Sequence, residues 1–455
     1  MASIRARLDE IKEDPSVLID PEIVERACGE VGHRWRERTL DPVTTLRAFA
    51  VQVAHGNTAI SHTIRLIGAQ FSESAYCQAR ARLPPAVVGA VLEAVAARIR
   101  GQRADDAGLW CGRRATLIDG SGVSVPDTPE LREAFGTAGS CAPGCGLPQA
   151  HTLWVFDADT GQVLGAHAAP ATTGDPRYAQ ELHPALRPGD VLVGDRGLCS
   201  YTHLAMLREI GCHGVFRLSA RRAMPFPAKS GERTRHDYNR HRRHEPILVE
   251  LIGDDDQIVE IVKPSNRPDH LTPEQFAKIP AKMLVRAVRY IAKGKGLRTR
   301  TITLLTDLTD AKRYPARALA DLYLMRWRVE TNLRHLKRTM GMDRLKCRSI
   351  DGVARELMMF ALIYNAVCQV RARAARAGGV PPTRVSFVDT LRAMLVAGRA
   401  GPVPRARPPD LKVWPSRPSR AQPRRLKRDH SHFPVMIWPR RRYIEWIDAR
   451  QRTAN

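Results

Sequence analysis

The stretch from Asp321 to Met340, DLYLMRWRVETNLRHLKRTM, constrains the fold more than any other part of the chain. It contains neither proline nor glycine, and at about 100° per residue its side chains sort into two stripes. Leu322, Met325, Val329, Leu333, Leu336 and Met340 form an apolar stripe that has to be buried against a core. Tyr323, Arg326, Glu330, Arg334 and Lys337 fall within roughly 80° of one another on a neighbouring face. The pattern predicts one long helix over 321–340, anchored by one face and offering on the next a carboxylate ringed by cations. A carboxylate so placed suits a metal ion or a proton, and the cations suit phosphates.

The rest of the chain divides by texture. Residues 1–108 read as an all-α N-terminal domain. Runs starting at Pro42 and Pro85 show helical periodicity, each opened by a proline in the first turn. Between them, Ser72 caps a short Arg-bearing segment to Leu83. That segment suits either a recognition helix in a DNA groove or an ordinary surface helix of a bundle.

Over 109–220 the period changes. Arg114-Ala-Thr-Leu-Ile-Asp119-Gly is a short apolar strand ending on a carboxylate, and residues 151–167 predict a hairpin turned at Ala-Asp-Thr-Gly. Asp190-Val-Leu-Val-Gly-Asp195-Arg-Gly is a second buried strand ending on a carboxylate, followed by a helix (201–210) and a strand (213–219). This succession predicts an α/β sheet with antiparallel and parallel parts. Residues 221–309 open with a basic, aperiodic run to His244, then carry strand-like segments near 248, 257, 284 and 298, a β-rich insertion ahead of the long helix. The long helix lies in 310–376, which ends with the apolar, helical run 350–375, suited to a core helix packed on the sheet. Residues 377–455 form a basic C-terminal segment whose end, from Gly398, is rich in Pro and Arg.

A net charge of +25 points to a polyanionic partner, with nucleic acid foremost, although Arg-rich codon usage would add to it. The nine cysteines are scattered without CxxC spacing, which suggests reduced thiols in a cytosolic protein. Cys141 and Cys145 with His151 are too loosely spaced for zinc and read as a Gly/Pro loop. The start lacks an apolar signal core and no run of about 18 apolar residues occurs. The expectation is a cytoplasmic protein with no membrane partner.

Asp119 and Asp195 each end a predicted strand with a glycine close behind, and carboxylates on adjacent strand ends converge on one sheet edge. Either could instead be an ordinary turn aspartate, and Glu330 could merely pair with Arg326 or Arg334 on a helix surface. Taken together, Asp119, Asp195 and Glu330 supply hard oxygen ligands suited to Mg²⁺ or Mn²⁺. Two such ions about 4 Å apart activate an attacking hydroxyl and stabilise the leaving oxygen. No P-loop is present.

Tyr323-x2-Arg326-x3-Glu330-x6-Lys337 resembles the Tyr-Arg-Glu-Lys signature of bacterial DDE transposases of the insertion-sequence-four (IS4) family. Ile118-Asp119-Gly-Ser, Val193-Gly-Asp195-Arg-Gly and Gly341-Met-Asp-Arg-Leu-Lys resemble that family's other landmarks in the same order. The resemblance spans about residues 110 to 370. It implies an RNase H-like catalytic core, in two parts (109–220 and 310–376) interrupted by the insertion, and an N-terminal domain that binds DNA ends. It implies cut-and-paste transposition by hydrolysis, a hairpin at the transposon end, and strand transfer by a 3′-hydroxyl. Carried over, Asp119, Asp195 and Glu330 would be catalytic and hold two Mg²⁺ or Mn²⁺ ions. Tyr323, Arg326 and Lys337, with Arg334 beside them, would contact DNA phosphates. The partners implied are terminal inverted repeats, target DNA and a second copy in a synaptic homodimer, in the bacterial nucleoid. One departure is that relatives trap a flipped base with an insertion tryptophan, whereas no Trp occurs between Trp154 and Trp327. Tyr290, Tyr238 or Phe226 could replace it as stacking surfaces. Two other readings remain open: a metal-dependent nuclease of the same fold that cuts without joining, and a transposase-derived DNA-binding protein without chemistry.

Overall fold

A computed structural model describes residues 19–397, except residue 37, 102–107, 138–145, 172–176, most of 220–245 and 293–299, together with a few positions beyond 411. The Cys141–Cys145 loop, Tyr238, the Lys293-Gly-Lys-Gly turn and most of the C-terminal segment therefore lie outside the described residues.

Among the described residues, period-2 apolar runs give one mixed sheet of nine strands in the order β3-β2-β1-β4-β5-β9-β8-β7-β6. The first five are β1 (Ala115–Ser124), β2 (Gln149–Asp157), β3 (Val163–Pro170), β4 (Val191–Gly194) and β5 (His213–Arg217). β1–β3 are antiparallel, while β4 runs parallel to β1 and β5 parallel to β4. The remaining strands, β6 (Ile247–Gly253), β7 (Asp256–Val262), β8 (Lys282–Ala292) and β9 (Arg300–Thr306), form an antiparallel meander. β9 pairs antiparallel with β5, so the meander extends the same sheet. The Asp307 carboxylate fastens this seam, accepting from the Gly214 backbone at 2.8 Å and contacting His213 Nδ1 at 2.7 Å.

Alternation along each strand divides the core into two faces. Leu117, Val191, Val193 and Val215 join one apolar cluster; Ile118, Leu192 and Phe216 join the other. Three short helices, α6 (Pro129–Phe135), α7 (Tyr201–Glu209) and α8 (Pro273–Lys278), lie between strands, and the first face is covered by α9 (Ala316–Met325), α10 (Trp327–Arg334) and α11 (Ile350–Ala377). α11 is long and apolar enough to cross a membrane, yet it is almost wholly buried as a central core helix. Asn365 within it pins β3, accepting from Val163 N at 2.7 Å and donating to Val163 O at 2.8 Å.

Of the N-terminal helices α1 (Pro21–Val31), α2 (Pro42–Ala54), α3 (Ile60–Ile67), α4 (Glu73–Arg82) and α5 (Pro85–Gly101), α1, α2 and α5 pack into the cluster that holds α11, while α3 and α4 pack on α2. Prolines at their first turns and aspartate caps behave as the sequence pattern requires: Asp20 caps α1 and Asp41 caps α2. A buried polar chain ties this layer to α11. Tyr76 and Arg80 donate to Gln52, Gln52 donates to Asn57, and Asn57 donates to the fully buried Glu356. Glu356 also accepts from the backbone of Lys346 and Cys347 at 2.8–3.0 Å. Arg80, stacked 4.0 Å over Phe49, is therefore a structural residue, and the inner side of α4 is closed to any groove.

Two expectations need correction. The segment 321–340 is not one regular helix. Bonds from Arg326 N to Tyr323 O and from Val329 N to Arg326 O tighten the chain at Arg326, separating α9 from α10. A π-helical turn follows over His335–Thr339, closed by Met340 N to His335 O, before Gly341 at φ +82° ends the element. Nor does Asp119 end its strand. β1 continues through Gly120 to Ser124 because β2 stays paired along its whole length, while the parallel bond to β4 stops after Leu117.

The other face holds a stacked histidine pair, His183 and His203, with rings 5.4 Å apart. Burial pushes His183 down to about 3 and His203 down to about 4, so both fold as neutral imidazoles. Below the unfolded value of 6.5 the unfolded chain takes up protons that the folded chain refuses. Stability held above that pH is thus lost as pH falls toward 4, by up to about 1.4 kcal/mol per pH unit for each ring. Urea midpoints at about pH 7.5 and about pH 5 should fall less for a His183→Gln, His203→Gln double variant than for the native chain. An equal fall would assign the acid sensitivity elsewhere.

Candidate active site

Strand parity determines where the aspartates face. Asp119 is two residues beyond Leu117, and Asp195 two beyond Val193, so both project from the face that packs on α9–α11. They stand on adjacent parallel strands, Asp119 where β1 loses its β4 neighbour and Asp195 in the turn that follows β4. Each carboxylate is braced by backbone: Asp119 Oδ1 accepts from Gly120 N at 3.0 Å, and Asp195 Oδ1 from Gly197 N at 2.7 Å.

Val329, Leu333 and Leu336 bury the inner side of the α10 segment and thereby aim Arg326 and Glu330 at the same strand ends. The Arg326 guanidinium is the hub. Its Nη1 donates to Asp119 Oδ2 at 3.0 Å and its Nη2 lies 3.5 Å from Glu330 Oε1. Burial alone would lower its pKa, but Tyr323, Asp119, Glu330 and Asp195 outweigh that and hold it above the ordinary arginine value. Three carboxylates therefore act on one positive group. Among the described residues no set of three His, Cys, Asp or Glu side chains is close enough to hold a metal. The donor set fits a divalent cation in kind, with Arg326 supplying positive charge among the carboxylates in this arrangement.

The remaining signature residues are dispersed around this hub. Tyr323 is buried, not displayed; burial raises its pKa, while Arg326 and Arg217 pull it down. Lys337 sits in the π-helical turn and donates to Ser121 Oγ at 3.0 Å and Gly122 O at 2.6 Å, tying that turn to β1. Burial and the neighbouring Arg338 lower its pKa. Arg334 is exposed on the last turn of α10.

Sequence reasoning missed Arg217, at the end of β5. Its charge reaches both Tyr323 and Tyr290, and it lies one residue past Phe216, the partner of Gly194. Its place at the end of the parallel strand next to Asp195 was the available signal. Of the aromatic candidates of the insertion, the two among the described residues are both half-buried: the Tyr290 hydroxyl lacks a hydrogen-bond partner among the described residues, and Phe226 lies under Arg289 at 4.5 Å.

Residues 110–366 match the family model described as a transposase DDE domain. The chain is 26% identical over 340 residues to the transposase InsG for insertion sequence element IS4 of Escherichia coli (strain K12), covering 72% of this chain and 70% of that one. It is 22% identical over 259 residues to a transposase for insertion sequence element IS231F of Bacillus thuringiensis subsp. israelensis, covering 52% of each. Among solved structures, the piggyBac transposase synaptic complex with hairpin DNA aligns at a TM-score of 0.43 and 11% identity, covering 84% of this chain and 80% of that one.

Proposed function

This chain belongs to the IS4 family of DDE transposases, enzymes of DNA transposition, and we propose that Asp119, Asp195 and Glu330 are its catalytic carboxylates. The observation that carries this reading is the pairing of Arg326 with both Asp119 at 3.0 Å and Glu330 at 3.5 Å, beside the β4 end that carries Asp195. The order β3-β2-β1-β4-β5, antiparallel then parallel, supports reading the core as RNase H-like, with residues 221–309 as its insertion.

The three carboxylates are proposed to hold two Mg²⁺ or Mn²⁺ ions, which, when bound, supply Lewis acidity to the attacking and leaving oxygens of a phosphodiester. Arg326, paired with Asp119 and Glu330 here, would be free to neutralise phosphate once those carboxylates hold metal, and exposed Arg334 is placed to do the same. Lys337 holds the π-helical turn against β1, and Tyr323 fills the space behind Arg326. The substrate is duplex DNA at the terminal inverted repeats, with the N-terminal domain that carries α1–α5 binding those ends. A dimer would pair two ends before 3′-hydroxyl attack on target DNA.

The test is a joining assay in Mg²⁺ with a pre-cut duplex carrying the repeats that flank the gene, and a supercoiled plasmid as target. Covalent end-to-plasmid products are expected. Cleavage of uncut ends without any joined product would favour the nuclease reading.

A further inference from the structure

Two clefts in the helical layer carry cations, and they differ in what those cations already do. The larger, about 520 Å³, includes Arg80, Lys346 and Arg355, each bonded to the protein itself, to Gln52, Asn57 O and Leu83 O respectively, and a single exposed arginine, Arg348. The smaller, about 330 Å³, lies between the α1–α2 connection and the end of α4. Arg34, Arg36, Arg38 and Arg82 line it, all exposed and none paired with a described carboxylate. Glu37, within the same run, lies outside the described residues. Trp35 stands 40% exposed between the arginines, its indole stacked on His33 at 6.2 Å. The connection is fixed at both ends. Gly32 closes α1 in the left-handed conformation, His33 N bonds Cys28 O at 2.8 Å, and Asp41 caps α2 through Thr44 N at 2.6 Å.

We infer that this cleft grips the sugar–phosphate backbone of duplex DNA, with Arg34, Arg36, Arg38 and Arg82 on phosphates and Trp35 against the deoxyribose face. The inference rests on the transposase reading for its substrate and gives the helical layer a specific contact surface. Alternating Arg and Trp on a connection anchored at both ends suits this task. The guanidinium groups neutralise consecutive phosphates, the indole covers apolar sugar, and little ordering entropy is lost on binding. A surface built this way reads backbone rather than base sequence, so it holds the end while other residues select it.

The test uses the full-length chain and a fluorescent random-sequence duplex, titrated by anisotropy across a salt series. Replacing Arg34, Arg36 and Arg38 together by Ala should make the log–log salt slope shallower by about 3, near one per lost phosphate contact. The corresponding triple Lys variant should restore most of that slope, which a folding defect would not allow. Trp35→Ala should weaken binding about tenfold with the slope unchanged. A native slope in the triple Ala variant would overturn the inference, as would single-stranded oligonucleotide competing better than duplex. The Mg²⁺ joining assay, run on the native chain beside this titration, separates the two claims. If no joined product forms yet the Arg dependence persists, the grip stands and the assignment of strand transfer falls.

Discussion

Asp195→Asn should abolish strand cleavage at transposon ends, lowering its rate on the order of 1,000-fold or more. A metal-held oxygen contributes several kcal/mol to a phosphoryl-transfer transition state, and each 1.36 kcal/mol is about a factor of ten. The substitution is chosen because asparagine keeps an oxygen that can accept from Gly197 N, the 2.7 Å bond that shapes the turn after β4. Fold and turn should therefore survive while the charge is lost. Nicking of a labelled end in Mg²⁺, followed on a denaturing gel, gives the answer. Native cleavage rates in this variant would remove Asp195 from the chemistry.

Glu356→Ala should cost about 3–5 kcal/mol of stability, the range for stripping one member from a buried charged network. The carboxylate is fully buried, and its removal strands the Lys346 and Cys347 amides, the Asn57 side chain and the nearby Arg80 charge. Because the network joins the N-terminal helices to α11, unfolding should also lose cooperativity, with the helical layer melting ahead of the sheet. Urea transitions followed by tryptophan fluorescence and by circular dichroism should then separate, where the native chain gives coincident curves. Coincident curves at the native midpoint would show that the network contributes little.

Sequence periodicity located most strands because their faces are buried on opposite sides: Leu117 and Ile118 already alternate between two cores. It could not foresee that β1 would run past Asp119, since Gly120 and Gly122 look like a turn and stay extended only because β2 pairs with them. Nor could a uniform 100° wheel register the tight turn at Arg326 or the π-helical turn at His335, which arise from tertiary packing of Leu333 and Leu336. The site was half legible. Charges spaced along one helix revealed Arg326 and Glu330 as neighbours, but the bond from Arg326 to Asp119 crosses 207 residues of sequence and needed the fold. Arg217 escaped because its signal, a place at the end of the strand paired with the one before Asp195, appears only once the strand order is known.

The seam between β5 and β9 has a consequence for how this molecule can change. Arg217 and Leu304 are register partners, so the chain returns about 5 Å from where it departed. The intervening excursion is woven into both cores, since β8 places Val288 in one and Val285 and Ala287 in the other. Its length is therefore expected to vary only in the turns between its strands, where added residues would leave Asp195 and Glu330 in their mutual positions.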